Sequence, residues 1–244
     1  MSYGDHFLSV VIVVKDDAKV IGRTIRNLES TTANKQRTEI VLVDAGCKDN
    51  TLGVVRASAG AIKVQYVKGG DYSKDNGESK ESDTDVILFL PADALTPPLY
   101  DDCCRRALAD RTVAMAAFSL RLDSDQMSQR CPQLAVALVE FLYNMRTKFL
   151  QLPSGAQGLA LRATDAAVQP FRDMVALEDL RFADEVRRRA LVTGQVVKLL
   201  KSPILVHPCR WIGIGIFFST LVHEMAHFAL LYLHIPPENV YLWF

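Results

Sequence analysis

Three apolar runs, each closed by an acid, constrain this chain most. Leu8 to Val14 is continuous and rich in β-branched residues, and it gives way at once to Lys15-Asp16-Asp17. Glu39 to Val43 stops at Asp44-Ala45-Gly46, and Val86 to Leu90 stops at Pro91-Ala92-Asp93. Short apolar runs of this kind suit strands buried on both faces, as in a mainly parallel sheet covered by helices. The segments between them agree. Ala18 to Ser30 carries Val20, Ile21, Ile25 and Leu28 on one helical stripe, Thr51 to Ser58 fits a short helix, and Ile62 to Val67 a third strand. In such sheets ligands bind beyond the carboxyl ends of the strands, where Asp17, Asp44 and Asp93 all fall.

A single acid at a strand end is ordinarily a turn former or a helix cap. An ordered set converging on one crevice can also hold a divalent metal against a diphosphate, accept from a base or ribose, or take a proton. Glu178-Asp179, at the start of a later helix, adds to the set.

The second half is less regular. Val113 to Leu120 reads as a strand, and Leu134, Leu138, Phe141, Leu142, Met145 and Phe149 mark one face of a long helix that Pro153-Ser154-Gly155 breaks. Leu177 to Arg189 is a helix with an acidic start and a basic end, Arg187-Arg188-Arg189, the latter expected to be a solvated helix end. Val196 to Leu200 and Ile204 to His207 read as two short strands, and Gly69 to Asp85 as polar loop or solvated helix.

Charge divides the chain unevenly. The 28 basic and 28 acidic residues cancel, which argues against nucleic-acid binding through bulk charge. Residues 1–210 hold all the basic residues and all acids except Glu224 and Glu238. The expected organisation is therefore a domain over 1–210 and an apolar helical appendage over 211–244, packed on the domain or lying at a membrane surface. The five cysteines form no CxxC pair and suit free thiols in a reducing compartment. The first apolar run lacks the basic lead and cleavage site of a signal peptide, so a cytoplasmic chain, peripheral to a membrane at most, is expected.

At this point the sequence resembles a known family. Ser9 to Asp17 is similar to the opening strand of family 2 glycosyltransferases, and Val43-Asp44-Ala45-Gly46-Cys47-Lys48-Asp49-Asn50-Thr51 to their Asp-Gly-Ser-x-Asp-Gly-Thr segment. Ile87 to Asp93 resembles the strand leading into their Asp-x-Asp site, Leu177-Glu178-Asp179 their Glu-Asp motif, and Arg210-Trp211 the end of their Arg-Trp motif. A small soluble branch whose metal segment reads His-Ala-Asp-Thr is closest. Its Gly and Asn positions match Gly70 and Asn76, Pro153 to Gly158 resembles its Pro-x-Gly-Asp-Gln-Gly, and Ile235-Pro236-Pro237-Glu238 its C-terminal Gly-Val-Ser-Pro-Glu.

The resemblance implies an A-type glycosyltransferase fold, an α/β architecture with a mostly parallel central sheet flanked by helices. It implies an inverting transfer of a sugar from a nucleotide-diphospho-sugar to an acceptor hydroxyl. Asp17, Asp44, Asn76, Arg210 and Trp211 would contact the donor, Asp93 would reach Mg²⁺ or Mn²⁺, and Gln157 would lie on the acceptor side. Asp179 would be the general base, positioned with Glu178. The acceptor, lipid-linked or a small molecule, is not specified.

Departures from the pattern motivate a second reading, a catalytically degenerate protein of the same fold that binds a nucleotide-sugar or a partner. Pro91 stands at the first Asp of the metal pair, Ala94 at a Thr, Ala156 at the Asp before Gln157, Asp71 at an Arg and Cys209 at an Arg. A third reading is a zinc hydrolase, because His223-Glu224-Met225-Ala226-His227 matches H-E-x-x-H. The metzincin third-ligand position holds Leu233 instead of His.

Overall fold

The computed structural model describes residues 6–68, 84–123, 125, 133–166 and 178–208. Asn76, Asp71, Arg210, Trp211, the His223/His227 motif and the whole 211–244 appendage lie outside the described residues.

One eight-stranded sheet carries the fold. Its strands are β1 (Phe7–Val14), β2 (Thr38–Asp44), β3 (Lys63–Lys68), β4 (Thr84–Phe89), β5 (Ala94–Leu95), β6 (Val113–Leu122), β7 (Leu159–Arg162) and β8 (Val196–Val206). The spatial order is β3-β2-β1-β4-β7-β6-β8-β5. The first four are parallel, with Val14 opposite Asp44 and Asp44 opposite Lys68. This is the half in which apolar runs alternate with helices α1 (Ile21–Thr31) and α2 (Thr51–Ser58).

The other half is mixed. β7 runs antiparallel to both β4 and β6, β8 is parallel to β6, and β5 is antiparallel to β8. It carries α3 (Tyr100–Ala109), α4 (Gln133–Leu150), α5 (Ala163–Ala166) and α6 (Glu178–Thr193). The two strands expected near the end of the described chain are one. β8 continues through Pro203 because the register slips between Phe118 and Ser119, which leaves Lys201 and Ser202 bulged.

β1 is buried on both faces, with Ser9 and Val11 covered on one side and the larger apolar row on the other. Leu8, Val10, Ile12 and Val14 are fully buried and pack with Ile21, Ile25 and Leu28 of α1 and Ile40 and Leu42 of β2. Each such side chain contributes about 1.5–3 kcal/mol over its exposed state. At the opposite end of the sheet from the acids, α3 is locked by a buried ion pair. Arg105 donates to Asp101 (2.5 Å) and to the carbonyls of His6 and Arg37 (both 2.8 Å), while Asp101 accepts from the N–H of Ala33 (2.9 Å) and Asn34 (3.0 Å). Burial alone raises the Asp101 pKa, but these donors and the guanidinium outweigh it and hold the carboxyl below its ordinary value.

The sequence stripe on α4 faces the opposite way from an amphipathic helix's usual packing side. Val139, Tyr143, Arg146 and Thr147 are buried, whereas Leu134, Leu138, Phe141, Leu142 and Phe149 are exposed. α6 runs on to Thr193, so Arg187–Arg189 lie one turn inside the helix instead of at its end; there Arg187 and Arg188 pair with Asp184, and Arg189 with Glu185. Among the described residues, no helix is long and apolar enough to cross a membrane.

Candidate active site

The carboxyl ends of β1 and β4 open onto a crevice of about 880 Å³. Asp16, Asp17 and Lys19 line it from the β1–α1 connection, Arg23 from the first turn of α1, and Pro91, Ala92 and Asp93 from the turn after β4. Gly155, Ala156, Phe182 of α6 and His207, just past β8, complete the wall.

The loops after β1 and β2 are stitched together by their own acids. Asp16 Oδ1 accepts from the N–H of Lys48 (2.6 Å) and Asp49 (3.1 Å), and Asp49 Oδ2 accepts from Ala18 N–H (3.1 Å). Asp17 N–H donates to Thr51 Oγ1 (2.8 Å), and Thr51 donates in turn to Asp49. Asp16 adopts φ 57°, a left-handed conformation that Asp tolerates better than most residues. Asp44 Oδ1 caps the next turn through the N–H of Gly46 (3.0 Å) and Cys47 (2.8 Å). The Cys47 N–H, first among these donors, holds the Asp44 carboxyl below its ordinary range, and Thr51 does the same for Asp49. Burial pushes the Cys47 thiol up.

Asp93 differs in kind. Its turn is held by two main-chain bonds, Leu90 N–H to Val11 O (2.9 Å) and Ala94 N–H to Pro91 O (3.2 Å), and by the Thr24 hydroxyl, which donates to Ala92 O (2.7 Å). The carboxylate takes no part in them. Asp93 Oδ1 is shielded from solvent and has no hydrogen-bond partner among the described residues. A buried unmatched oxygen costs about 1–3 kcal/mol, so an acceptor kept in that condition fits a hard cation supplied from outside the chain. Among the described residues, no group of three or more His, Cys, Asp or Glu forms a complete metal site.

Of the residues singled out from sequence, Asp17 and Asp93 line the crevice, and Asp44 stands at its β2 flank without lining it. Asp17 Oδ2 accepts from Lys15 N–H (2.8 Å). Glu178 and Asp179 are the first residues of α6; their side chains are not described, but Phe182, one turn on, lines the crevice and packs edge-on against Phe89 at 5.8 Å. Gln157 points away from the crevice. It is fully buried, accepts from Thr147 Oγ1 (2.8 Å) and Ser154 N–H (3.1 Å), and donates to Phe118 O (3.1 Å). Its physical role here is to close the capping box of the Gly155–Gln157 turn, which leaves Gly155 and Ala156 to face the crevice.

Sequence reading missed His207, Lys19 and Arg23. His207 follows a strand and was readable as a strand-end residue. Arg23 sits on the polar side of α1 and is ion-paired with Asp123, just past β6, which only the tertiary fold reveals.

No family model matches the chain. Validoxylamine A glucosyltransferase of Streptomyces hygroscopicus subsp. jinggangensis (strain 5008) is 31% identical over 98 residues, which are 38% of this chain and 23% of that protein. The chain thus matches less than a quarter of that relative's length. Among solved structures, the mannosyltransferase PcManGT from Pyrobaculum calidifontis, in complex with GDP-Man and Mn²⁺, superposes with a TM-score of 0.62 at 17% identity, covering 91% of this chain and 63% of that one. S. aureus TarS 1-349 in complex with UDP superposes with a TM-score of 0.59 at 14% identity, covering 92% and 64%. The fold they share with this chain is the A-type glycosyltransferase fold.

Proposed function

We propose that this chain, an A-type glycosyltransferase fold by its structure, is an inverting transferase that moves a sugar from a nucleotide-diphospho-sugar to an acceptor hydroxyl. The observation that carries the reading is Asp93, a buried carboxylate oxygen kept without a partner where the β4 strand opens onto the crevice. In the similar folds, donor nucleotides and Mn²⁺ occupy complexes of the relatives themselves, which supports a nucleotide-sugar donor here.

The chain's residues divide the work as follows. The stitched loops after β1 and β2, with Asp17 and Asp44, offer acceptor groups for the donor's base and ribose. Asn76, Arg210 and Trp211 belong to the donor side by motif, with Arg210 contributing fixed positive charge near the diphosphate. Asp93 is the residue that would hold Mg²⁺ or Mn²⁺, which when bound supplies charge compensation at the departing diphosphate. Asp179 takes the proton from the acceptor hydroxyl as its oxygen bonds to the anomeric carbon, with Glu178 positioning it. The bond from that carbon to the diphosphate oxygen breaks, the nucleoside diphosphate leaves with the electron pair, and attack from the opposite side inverts the centre.

Asp179→Asn tests the assignment. It is expected to bind donor like the wild type and to lose transfer; transfer at the wild-type rate would remove Asp179 from the role. The binding-only reading has one observation in its favour, the apolar Pro91 and Ala156 in the crevice wall. Thermal shift with a nucleotide-sugar panel separates the two: stabilisation that requires Mn²⁺ supports the enzyme, and metal-independent stabilisation without turnover supports the binding module.

A further inference from the structure

Eleven large apolar side chains are exposed among the described residues, and nine of them fall on α4 and on the junction where α6 gives way to β8. On α4 they form a row. Leu134 is 82% exposed and Phe149 64%, with Leu138, Phe141 and Leu142 between them. At 100° per residue these five side chains fall within about a third of the helix circumference. The opposite side is buried, with Val139 and Tyr143 in the core.

The junction extends the row. Gln151, directly after α4, accepts from Val197 N–H at 3.0 Å, so the end of α4 lies against the start of β8. Val196 precedes that bond, and Leu191 and Val192, the latter 88% exposed, close α6 just before it. Among the described residues the outer edge of β8 is open here, because β5 pairs with it only at Leu205 and Val206. An exposed apolar surface of this extent marks a contact site.

Charge selects what the site contacts. The chain as a whole is neutral, but α4 and residues 178–201 together hold eight basic residues against five acids. Bases stand beside the exposed apolar residues. Lys148 Nζ lies 5.5 Å from the centroid of the Phe149 ring. Arg188 precedes Val192 by one helical turn, and Lys198 shares a strand face with Val196. All three bases are exposed. Long basic side chains so placed lay their stems along apolar surface and keep their charge outward.

We infer that α4 and the α6–β8 junction form a docking face for an anionic lipid surface. The exposed leucines, valines and phenylalanines enter the headgroup boundary, and Lys148, Arg188 and Lys198 meet the anionic headgroups. Docking of this kind does not depend on the chemistry of the crevice. A second copy of the chain fits the face less well. Twofold pairing would set one positive surface against another, and interface cores are poor in charge.

Co-sedimentation of the full-length chain with vesicles tests this. The wild type is expected to bind phosphatidylcholine–phosphatidylglycerol vesicles and to bind phosphatidylcholine alone at least about tenfold more weakly. Added salt is expected to weaken binding to the mixed vesicles. Phe149→Glu/Val192→Glu is expected to reduce that binding at least about tenfold. Lys148→Gln/Lys198→Gln is expected to bring it toward the level of phosphatidylcholine alone. All four positions are exposed, so both variants are expected to fold. No binding to the mixed vesicles, or equal binding to the two compositions, overturns the inference. Binding that survives both pairs of substitutions overturns it by assigning the contact to another part of the chain. So does a dimer in solution that Phe149→Glu/Val192→Glu dissociates, which assigns the face to a second copy.

Discussion

The acids after β1 and β2 and the acid after β4 stand at equivalent places in one parallel sheet, yet they are used in opposite ways. Asp16 and Asp49 accept from backbone N–H groups of each other's loops, and Asp44 from those of its own turn. The turn after β4 is built without its acid, and Asp93 Oδ1 stays buried and unmatched. The same residue type at the same topological position is thus scaffold in one loop and reserve in the other. The distinction lies in which groups already close the turn.

Substitutions at these positions can break that contrast. The largest effect is expected at Asp93. Asp93→Ala should lower sugar transfer by at least about a hundredfold, as loss of metal-site groups does. Its melting temperature should hold or rise, because an unmatched buried oxygen is removed. The Mn²⁺-dependent thermal shift should vanish in Asp93→Ala and persist in Asp44→Asn. A marked fall in melting temperature of Asp93→Ala would show that Asp93 is scaffold too.

Asp16 should behave in the reverse sense. Asp16→Ala loses the acceptor of two backbone donors at an exposed site and keeps a β-carbon at φ 57° without the polar side chain that eases that conformation, for an expected cost of about 1–2 kcal/mol in urea unfolding. Asp16→Gly keeps the conformation and should recover part of that loss. Equal costs for the two would show that the hydrogen bonds alone matter.

The smallest effect is in pH. Asp44 and Asp49 are held below their ordinary value of 3.8 by loop donors. Their contribution to stability is therefore complete above that value and is lost as pH falls through their lower folded values. Carboxyl titration by NMR should find both midpoints below 3.8. Either one at or above it would mean the loop donors are not engaged in solution.

Much of the parallel half was legible in the sequence, because strands buried on both faces write continuous apolar runs. β1, β2, β4 and α2 fall where those runs place them. The mixed half was harder. α3 hides its core contribution behind Asp101 and Arg105, charged residues that composition assigns to the surface and that are buried only because they pair with each other and with the backbone groups of His6, Ala33, Asn34 and Arg37. β7 has only four residues, too few for a period. At the site, motif order located Asp17 and Asp93. Gln157 was legible as part of a motif but not as a buried turn closure, since its partners Thr147 and Phe118 belong to α4 and β6, which only the tertiary fold brings to it. The α4 stripe shows the limit of periodicity: it identifies an apolar face without saying which layer covers it.

The ion pair between Arg23 and Asp123 has a consequence for synthesis of the chain. The two residues are 100 positions apart. At a ribosomal pace of roughly 5–20 residues per second, Arg23 waits about 5–20 s for its partner to be made. During that interval β1, β2 and α1 can already dock, but one wall of the crevice has no anchor. A nascent chain is therefore expected to acquire its parallel half first and its ligand-binding competence late, so chains arrested just after residue 123 should not retain donor, and retention should appear only once the wall residues Gly155, Phe182 and His207 have also emerged.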